Sequence, residues 1–238
     1  MPLATNHTIA SLLIINPNSS QSITDGLAEA LTALTPPGTE LTFYTAPKNA
    51  PPAIIDLTTG VQSANVCFED ILNRGLLDDH DGFLVCCFSD HPLTHMLREK
   101  TAKPVVGILE TAIVQAMLVG QRFGIVTTGT GYKYVHYTEV RNFLGATSEK
   151  FAGLIAVGLG VVELREGDLQ NITTKMKEGS RKIAEKGADV VILGCAGMAG
   201  MEFLVKEAYV EAGYPIPKVV DGAKSGVAIL SGLVRIPC

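Results

Sequence analysis

The feature that most constrains the fold is an internal repeat, because the second half of the chain aligns with the first at a nearly constant offset. The segment "DGFLVCC" from Asp81 lies over "DVVILGC" from Asp189, a shift of 108 residues that superposes Cys87 on Cys195. Self-similarity at such a period indicates one structural unit that is used twice. Any architecture must therefore place Cys87 and Cys195 in equivalent positions.

Two more pairs of segments support the repeat. The segment "KPVVGILETAIVQAM" from Lys103 resembles "PKVVDGAKSGVAIL" from Pro217, at a shift of roughly 113 residues. The loop "NPNSS" at Asn16 corresponds to "TTGTG" at Thr127, at a shift of 111 residues. Four strand and helix units followed by four more explain these offsets better than a (β/α)8 barrel of eight equivalent units.

Apolar and β-branched runs alternate with longer segments of helical period, for example Ile23, Leu27 and Leu31 on one stripe. This alternation is typical of α/β proteins in which helices cover both faces of a parallel sheet. We therefore predict two pseudo-symmetric Rossmann-like lobes, each a four-stranded parallel sheet with flanking helices and with the active site in the cleft between them. The predicted strands are "SLLIIN", "LTFYT", "GFLVC", "PVVGI", "FGIVTT", "GLIAV", "DVVILG" and "PKVVD".

The length of 238 residues and the hydrophobic content of 47% are sufficient for one large domain or two small ones. We assign residues 1–115 to the first lobe and residues 116–215 to the second. The C-terminal segment, residues 216–238, is expected to return to the first lobe.

Composition also limits the function classes. The net charge is −5 without a basic block, so nothing indicates a nucleic-acid surface. The apolar run near the start is shorter than the roughly 18 residues that cross a bilayer, so we expect no membrane association and a cytoplasmic location. Five cysteines, an odd number, fit a reducing compartment in which at least some thiols are free.

The repeat selects two of these cysteines for chemistry. Cys86 aligns with Gly194 and is expected to be a buried strand residue, whereas Cys87 aligns with Cys195. Both selected thiols follow a strand, at the sheet edge where α/β proteins bind ligands. Each also precedes a predicted helix, with Pro92 suited to the first turn after Cys87, so we expect the helix starts to lower both thiol pKa values.

Two thiols that face a shared ligand from opposite sides have the geometry that a racemase needs. One thiolate removes a proton from a carbon acid, and the other thiol returns a proton to the opposite face. No metal or organic cofactor is required when the carbon lies next to a carbonyl group, because the carbanion is delocalised as an enolate. The predicted partner is thus a small-molecule substrate.

Four segments in order carry a resemblance to a known family: "IINPNSS", "LVCCFSDHPL", "FGIVTTGTGY" and "VVILGCAGMAGM". Together they resemble the aspartate/glutamate racemase superfamily, specifically its hydantoin and allantoin racemase branch, from about Leu12 to about Leu230. The resemblance implies two Rossmann-like lobes, a cofactor-independent two-base mechanism, and 5-substituted hydantoins or allantoin as substrates. It also makes a homo-oligomer plausible.

The resemblance assigns site residues as well. The cysteine-phenylalanine pair of the family matches Cys87 and Phe88, and its glycine-cysteine-alanine-glycine stretch matches Gly194 to Gly197. The chain differs in having Cys86 where bacterial hydantoin racemases have a small residue, and "SDHP" where they have glycine-aspartate-proline. The predicted catalytic residues are Cys87 and Cys195, and the predicted substrate-binding residues are Asn16, Ser19, Phe88, Ser89, Thr127, Thr128, Gly194, Ala196 and Gly197.

Other interpretations stay open at this point. The same fold supports cofactor-free decarboxylation or cis-trans isomerisation, and two lobes around a cleft also describe a non-catalytic ligand-binding protein. His91 and His95 have the spacing of zinc ligands on a helix, but no third ligand accompanies them, so we expect no metal. The loop "TTGTG" lacks the P-loop lysine, so we expect no nucleotide cofactor.

Overall fold

The computed structural model describes residues 9–131 and 133–236. Cys238 and the predicted lobe ends at residues 1–8 and 237–238 lie outside these residues. The strands are β1 (Ala10–Asn16), β2 (Thr39–Thr45), β3 (Gly82–Val85), β4 (Val105–Gly107), β5 (Phe123–Thr127), β6 (Phe151–Ala156), β7 (Val190–Gly194) and β8 (Lys218–Asp221). The helices are α1 (Gln21–Thr32), α2 (Leu57–Asn73), α3 (Leu76–Asp79), α4 (Pro92–Arg98), α5 (Ile108–Val119), α6 (Tyr134–Leu144), α7 (Glu163–Glu166), α8 (Leu169–Glu185), α9 (Glu202–Glu211) and α10 (Gly222–Leu233).

The strands form two parallel sheets with the same topology. The first has the order β2-β1-β3-β4 and the second the order β6-β5-β7-β8. The predicted α/β fold with two four-stranded sheets is therefore confirmed, and all eight predicted strands are present. Because β1 and β5 occupy equivalent central positions, as do β3 and β7, the internal repeat of the sequence is also a repeat of the structure.

Side chains on opposite faces of each strand enter different cores, as the strand period of two requires. In β1, Leu12 and Ile14 pack into a core shared by the two lobes, which also contains Ile125 of β5 and Ile192 of β7. Leu13 faces the outer layer of the first lobe instead. Both faces of each sheet are thus buried, which explains why the strand sequences are almost continuously apolar.

Helices α5 and α10 join the lobes at this shared core, since each follows an edge strand and the two pack against each other. Gly226 of α10 lies so close to β3 that a Cβ atom there would be 2.4 Å from Leu84 Cδ1. Strand β8 pairs with β7 in the second sheet, so the expectation that residues 216–238 return to the first lobe is wrong for this strand. Helix α10 and Arg235 after it do reach the first sheet, and the lobe boundaries themselves stay a prediction.

None of the helices in the described ranges combines the length and apolar character that a bilayer crossing needs.

Candidate active site

Two turns at equivalent strand ends carry the selected thiols. Cys87 lies two residues after the end of β3, in the loop that precedes α4, and Pro92 occupies the first turn of that helix as predicted. Cys195 directly follows β7 and begins a 3-10 turn, Ala196–Met198. Both cysteines are half-buried, and the four cysteines in the described residues are all free thiols.

Both thiols line one cavity of about 410 Å³ between the lobes. Its inner wall is formed by the two turns and by the loop after β5. Its outer wall is largely aliphatic and comes from the segment before α2, the start of α6 and the segment after β6. The apolar residues of this wall are Ile54, Ile55, Leu57, Tyr134, Val135, Leu159 and Val161, and the same segments also bring Asp56, Lys133 and His136 to the cavity.

Cys87 has few groups that stabilise a thiolate. The hydroxyl oxygen of Ser89 lies 3.2 Å from Cys87 Sγ. The pKa of the Cys87 thiol is raised to about 12, chiefly by burial and in addition by the nearby charges of Cys195 and Glu139, against the lowering effect of Ser89.

Cys195 has more stabilising neighbours. Burial raises the pKa of this thiol as well, but the backbone N–H groups of Gly197 and Met198, the Thr128 hydroxyl and the Arg165 guanidinium all lower it. The N–H groups belong to the 3-10 turn that Cys195 begins. The second turn thus provides a partial anion site around its sulfur.

The expectation that helix starts lower both pKa values is wrong in its net direction. Helix α4 begins at Pro92, five residues after Cys87, so its first N–H groups are occupied elsewhere: the Leu93 N–H donates to His91 Nδ1. At Cys195 the N–H groups do lower the pKa, but desolvation of the sulfur is the larger effect.

Most of the predicted substrate-binding residues line the cavity. Phe88 and Ser89 lie on its first-lobe side, and Thr128 and Ala196 on its second-lobe side. Thr127 and Gly194 also line it, but the Thr127 hydroxyl donates to the Gly194 carbonyl oxygen at 2.6 Å and so ties β5 to β7. Direct contact of these residues with a substrate stays a prediction.

Three predicted residues lie outside the cavity wall that the described residues form. Asn16 is fully buried, and its side-chain amide donates to Asn18, Ser20 and Thr24, so it organises the loop after β1. The Ser19 hydroxyl donates to the Ala50 carbonyl oxygen. Both side chains thus hold the chain in place, and substrate contact by Asn16 and Ser19 stays a prediction.

The third residue, Gly197, belongs to the 3-10 turn that follows Cys195. Its N–H group lowers the pKa of Cys195, and a Cβ atom at this position would lie 3.1 Å from Leu164 Cδ1. The glycine is therefore needed for close packing of the turn against the segment around α7.

Sequence reasoning missed three residues on helices of the second lobe. Glu139 and His136 on α6 both line the cavity, and Arg165 on α7 contacts the second turn. Their separation along the chain from both cysteines left no local motif. The sequence offered one signal: Glu139 follows His136 by three residues, a spacing that brings two side chains together on a helix.

The two histidines with metal-like spacing have other roles. His91 is 1% exposed and caps α4, whereas His95 Nε2 lies 2.6 Å from Asp90 Oδ1. Burial lowers the pKa of His91 to about 4, so its imidazole is neutral near pH 7. Within the described residues, no three His, Cys, Asp or Glu side chains are grouped as metal ligands.

Comparison with known proteins covers nearly the whole chain. A family model described as Asp/Glu/Hydantoin racemase matches residues 12–230, which include both thiol-bearing turns. An uncharacterised protein of Schizosaccharomyces pombe is 36% identical over 94% of this chain and 92% of its own length. A hydantoin racemase of Pseudomonas sp. (strain NS671) is 28% identical over 94% of this chain and 85% of its own. The solved structure of an allantoin racemase from Klebsiella pneumoniae has a TM-score of 0.80 and 29% identity, over 94% of this chain and 87% of that chain.

Proposed function

The chain belongs to the Asp/Glu/hydantoin racemase family, and from this premise we propose that it racemises a hydantoin-like ring, a 5-substituted hydantoin or allantoin, at carbon C5. The expected family and the expected enzyme class, an isomerase of the racemase type, are confirmed by the family match and by relatives named hydantoin racemase and allantoin racemase. The substrate of this chain and the roles of its thiols are the proposal.

One observation carries the proposed mechanism: two free thiols on equivalent strand ends of two related sheets line one cavity. The C5–H bond of a hydantoin is acidic because the carbanion is delocalised onto the neighbouring carbonyl oxygen. One sulfur takes the C5 proton, the electron pair of the C–H bond moves into the enolate, and the other thiol donates its proton to the opposite face. The two sulfurs exchange protonation states in each turnover.

The outer cavity wall supports an apolar substituent at C5. Ile54, Leu57 and Val135 have no polar side-chain atoms, and burying aliphatic surface against them stabilises a bound apolar group by about 25 cal/mol per Å². The ureido group of allantoin would instead lose hydrogen bonds to water wherever it lies against these aliphatic side chains. We therefore expect kcat/KM for 5-benzylhydantoin to exceed that for allantoin by at least about tenfold.

Polarimetry and deuterium uptake in heavy water test the reaction directly. A single enantiomer of each substrate is incubated with the protein, and loss of optical rotation is followed together with deuterium at C5. The wild-type protein should give both. Binding without exchange would indicate a ligand-binding protein, and loss of a carboxylate from malonate-like compounds without racemisation would indicate a decarboxylase.

Single cysteine variants test the assignment of the two bases. Cys87→Ala and Cys195→Ala should each lose racemisation by at least about a thousandfold, because one face of the ring then has no proton donor or acceptor. Each variant should still exchange the C5 proton of one enantiomer, and the two variants should prefer opposite enantiomers. Cys67→Ala is the matched control, since Cys67 is buried in the outer core of the first lobe. A double variant that racemises at the wild-type rate would refute the mechanism.

A further inference from the structure

A half-buried arginine side chain contacts the turn that carries Cys195. Arg165 Nη2 donates to the Ala199 carbonyl oxygen at 2.7 Å, at the end of this turn. The guanidinium also packs on α1, where a Cβ atom at Gly26 would lie 2.5 Å from Arg165 Cζ. Its Nε is buried without a hydrogen-bond partner, and none of the described carboxylates forms an ion pair with it. A positive charge without a counterion thus lies beside the second turn.

An anionic side chain contacts the turn that carries Cys87. Glu139 Oε1 accepts a hydrogen bond from the Asp90 N–H at 3.1 Å, and Glu139 Oε2 lies 2.7 Å from His136 Nδ1. The Glu139 side chain is only 13% exposed. Like Arg165, it reaches a backbone group shortly after the thiol of its turn, but with the opposite charge.

We propose that Arg165 and Glu139 are positioning residues that make the two thiols unequal, so that in the free protein Cys195 is the first of the two to lose its proton and Cys87 is the one that retains it. The guanidinium stabilises a negative sulfur beside it, and the carboxylate disfavours a second negative charge on its own side of the cavity. This assignment rests on the proposed two-thiol racemisation, for which a single shared proton is required. Its test needs no substrate.

The remaining groups around the sulfurs favour the same order. Four neighbours oppose the effect of burial on the pKa of Cys195, whereas only Ser89 does so for Cys87. The other charged and titratable groups near the turns have partners of their own or lie on the cavity wall. They are Asp90 paired with His95, His91 capping α4, His136 on Glu139, Asp56 capping α2, Lys133 over Gly129, and Asp221, which caps α10 and accepts a hydrogen bond from the Gly200 N–H after the second turn.

The assignment sets which half-reaction the resting protein performs first. Cys195 accepts the C5 proton from the enantiomer whose hydrogen faces it, and Cys87 gives its proton to the other face. The product form then has a protonated Cys195 and an anionic Cys87. Loss of a proton from Cys195 to solvent and gain of one by Cys87 restore the resting form.

Alkylation of the free protein with iodoacetamide measures the order directly, because only a thiolate reacts at an appreciable rate. Peptide mass spectrometry gives the rate at each cysteine between about pH 6 and 12. The midpoint of each rate profile reports the thiol pKa independently of how accessible the sulfur is. We expect the Cys195 midpoint to lie at least one pH unit, or about tenfold in thiolate fraction, below that of Cys87.

Charge variants then test the two positioning residues. Arg165→Gln should raise the Cys195 midpoint and slow its alkylation at neutral pH by roughly tenfold, whereas Arg165→Lys should restore most of the rate. Glu139→Gln should lower the Cys87 midpoint by a similar amount. Arg141→Gln, at an exposed position on α6, is the matched control and should change neither midpoint.

Equal midpoints in the wild-type protein, a lower midpoint for Cys87, or midpoints that none of the variants moves would overturn the assignment. Circular dichroism of each variant verifies that it is folded. A protein that shows the expected alkylation order but no racemisation would refute the proposed function and leave the charge asymmetry intact. Racemisation by a protein whose two cysteines have equal midpoints would refute the charge asymmetry and leave the proposed function intact.

Discussion

The turns that carry Cys87 and Cys195 begin at equivalent strands but differ in the structure that follows the thiol. After Cys87 the chain runs through a loop before α4 begins at Pro92, and the one side-chain partner of the sulfur is Ser89. After Cys195 the chain enters a 3-10 turn at once, and the N–H groups of Gly197 and Met198 lower the pKa of its thiol. A repeated strand therefore places the two thiols alike, whereas the local sequence after each strand decides how each one titrates.

The largest expected effect concerns the residue before each thiol. A Cβ atom at Gly194 would lie 2.8 Å from Ile125 Cγ2 and 3.0 Å from the Val126 carbonyl oxygen, so Gly194→Ala must move β7 and Cys195. We expect a loss of about 1–3 kcal/mol in the free energy of unfolding and a fall of roughly a hundredfold in kcat/KM. Denaturant titration and the racemisation assay measure the two effects.

The equivalent position in the first lobe is the control for that change. Cys86 is buried with its side chain already accommodated, so Cys86→Ala should cost no more than about 1 kcal/mol and retain activity. Equal losses of stability and activity in Gly194→Ala and Cys86→Ala would show that the residue before Cys195 is not packed more tightly than the residue before Cys87.

The second expected effect is an acid sensitivity confined to the first turn. Burial lowers the pKa of His91 from 6.5 to about 4, so the unfolded chain takes up a proton between these values and the folded protein does not. The free energy of unfolding should therefore fall as the pH decreases from about 6.5 to 4, by roughly 2 kcal/mol at pH 5. The second turn, residues 194–199, carries no titratable side chain besides Cys195.

The variant His91→Asn keeps a side-chain acceptor for the Leu93 N–H and removes the titration. Denaturant unfolding at pH 7.5 and pH 5 should show a smaller acid-induced loss in this variant than in the wild type. An unchanged difference between the two pH values would mean that His91 does not cause the acid sensitivity.

The smallest expected effect concerns the two hydroxyl groups that contact the sulfurs. Thr128→Val removes a hydrogen bond that lowers the pKa of Cys195, and Ser89→Ala removes one that lowers the pKa of Cys87. If Cys195 is the resting base, Thr128→Val should reduce kcat/KM near pH 7 by about tenfold and Ser89→Ala by only about threefold. The thiolate absorbance near 240 nm, followed against pH, should show a higher titration midpoint for the thiol next to each substitution. A larger loss of kcat/KM in Ser89→Ala than in Thr128→Val would indicate that Cys87, and not Cys195, is the resting base.

Much of this architecture could be predicted because it depends on local pattern. Strands such as β1 and β7 are apolar and β-branched along their whole length, since both faces of each sheet are covered. The offset between Asp81 and Asp189 then identified the two thiols without any structural information. These inferences needed only the order of residues along the chain.

The parts that could not be predicted depend on contacts between distant segments. Asn16 has the residue type and position of a ligand-binding side chain, but the fold uses its amide to hold the loop after β1. The thiol pKa values were expected to fall near helix starts, and burial at the interface of the lobes raises them instead. Desolvation depends on the surrounding atoms in three dimensions, which residue spacing does not describe.

The amino-acid sequence by itself therefore determined that two related α/β units each carry a thiol at the end of an equivalent strand, because apolar periodicity and internal similarity are properties of the chain. Only the tertiary structure decided what lies around each sulfur. Glu139 approaches the first turn and Arg165 the second from helices that no motif connects to the cysteines. Electrostatic interactions act through space, so the difference between the two thiols is set by the folded arrangement of the lobes.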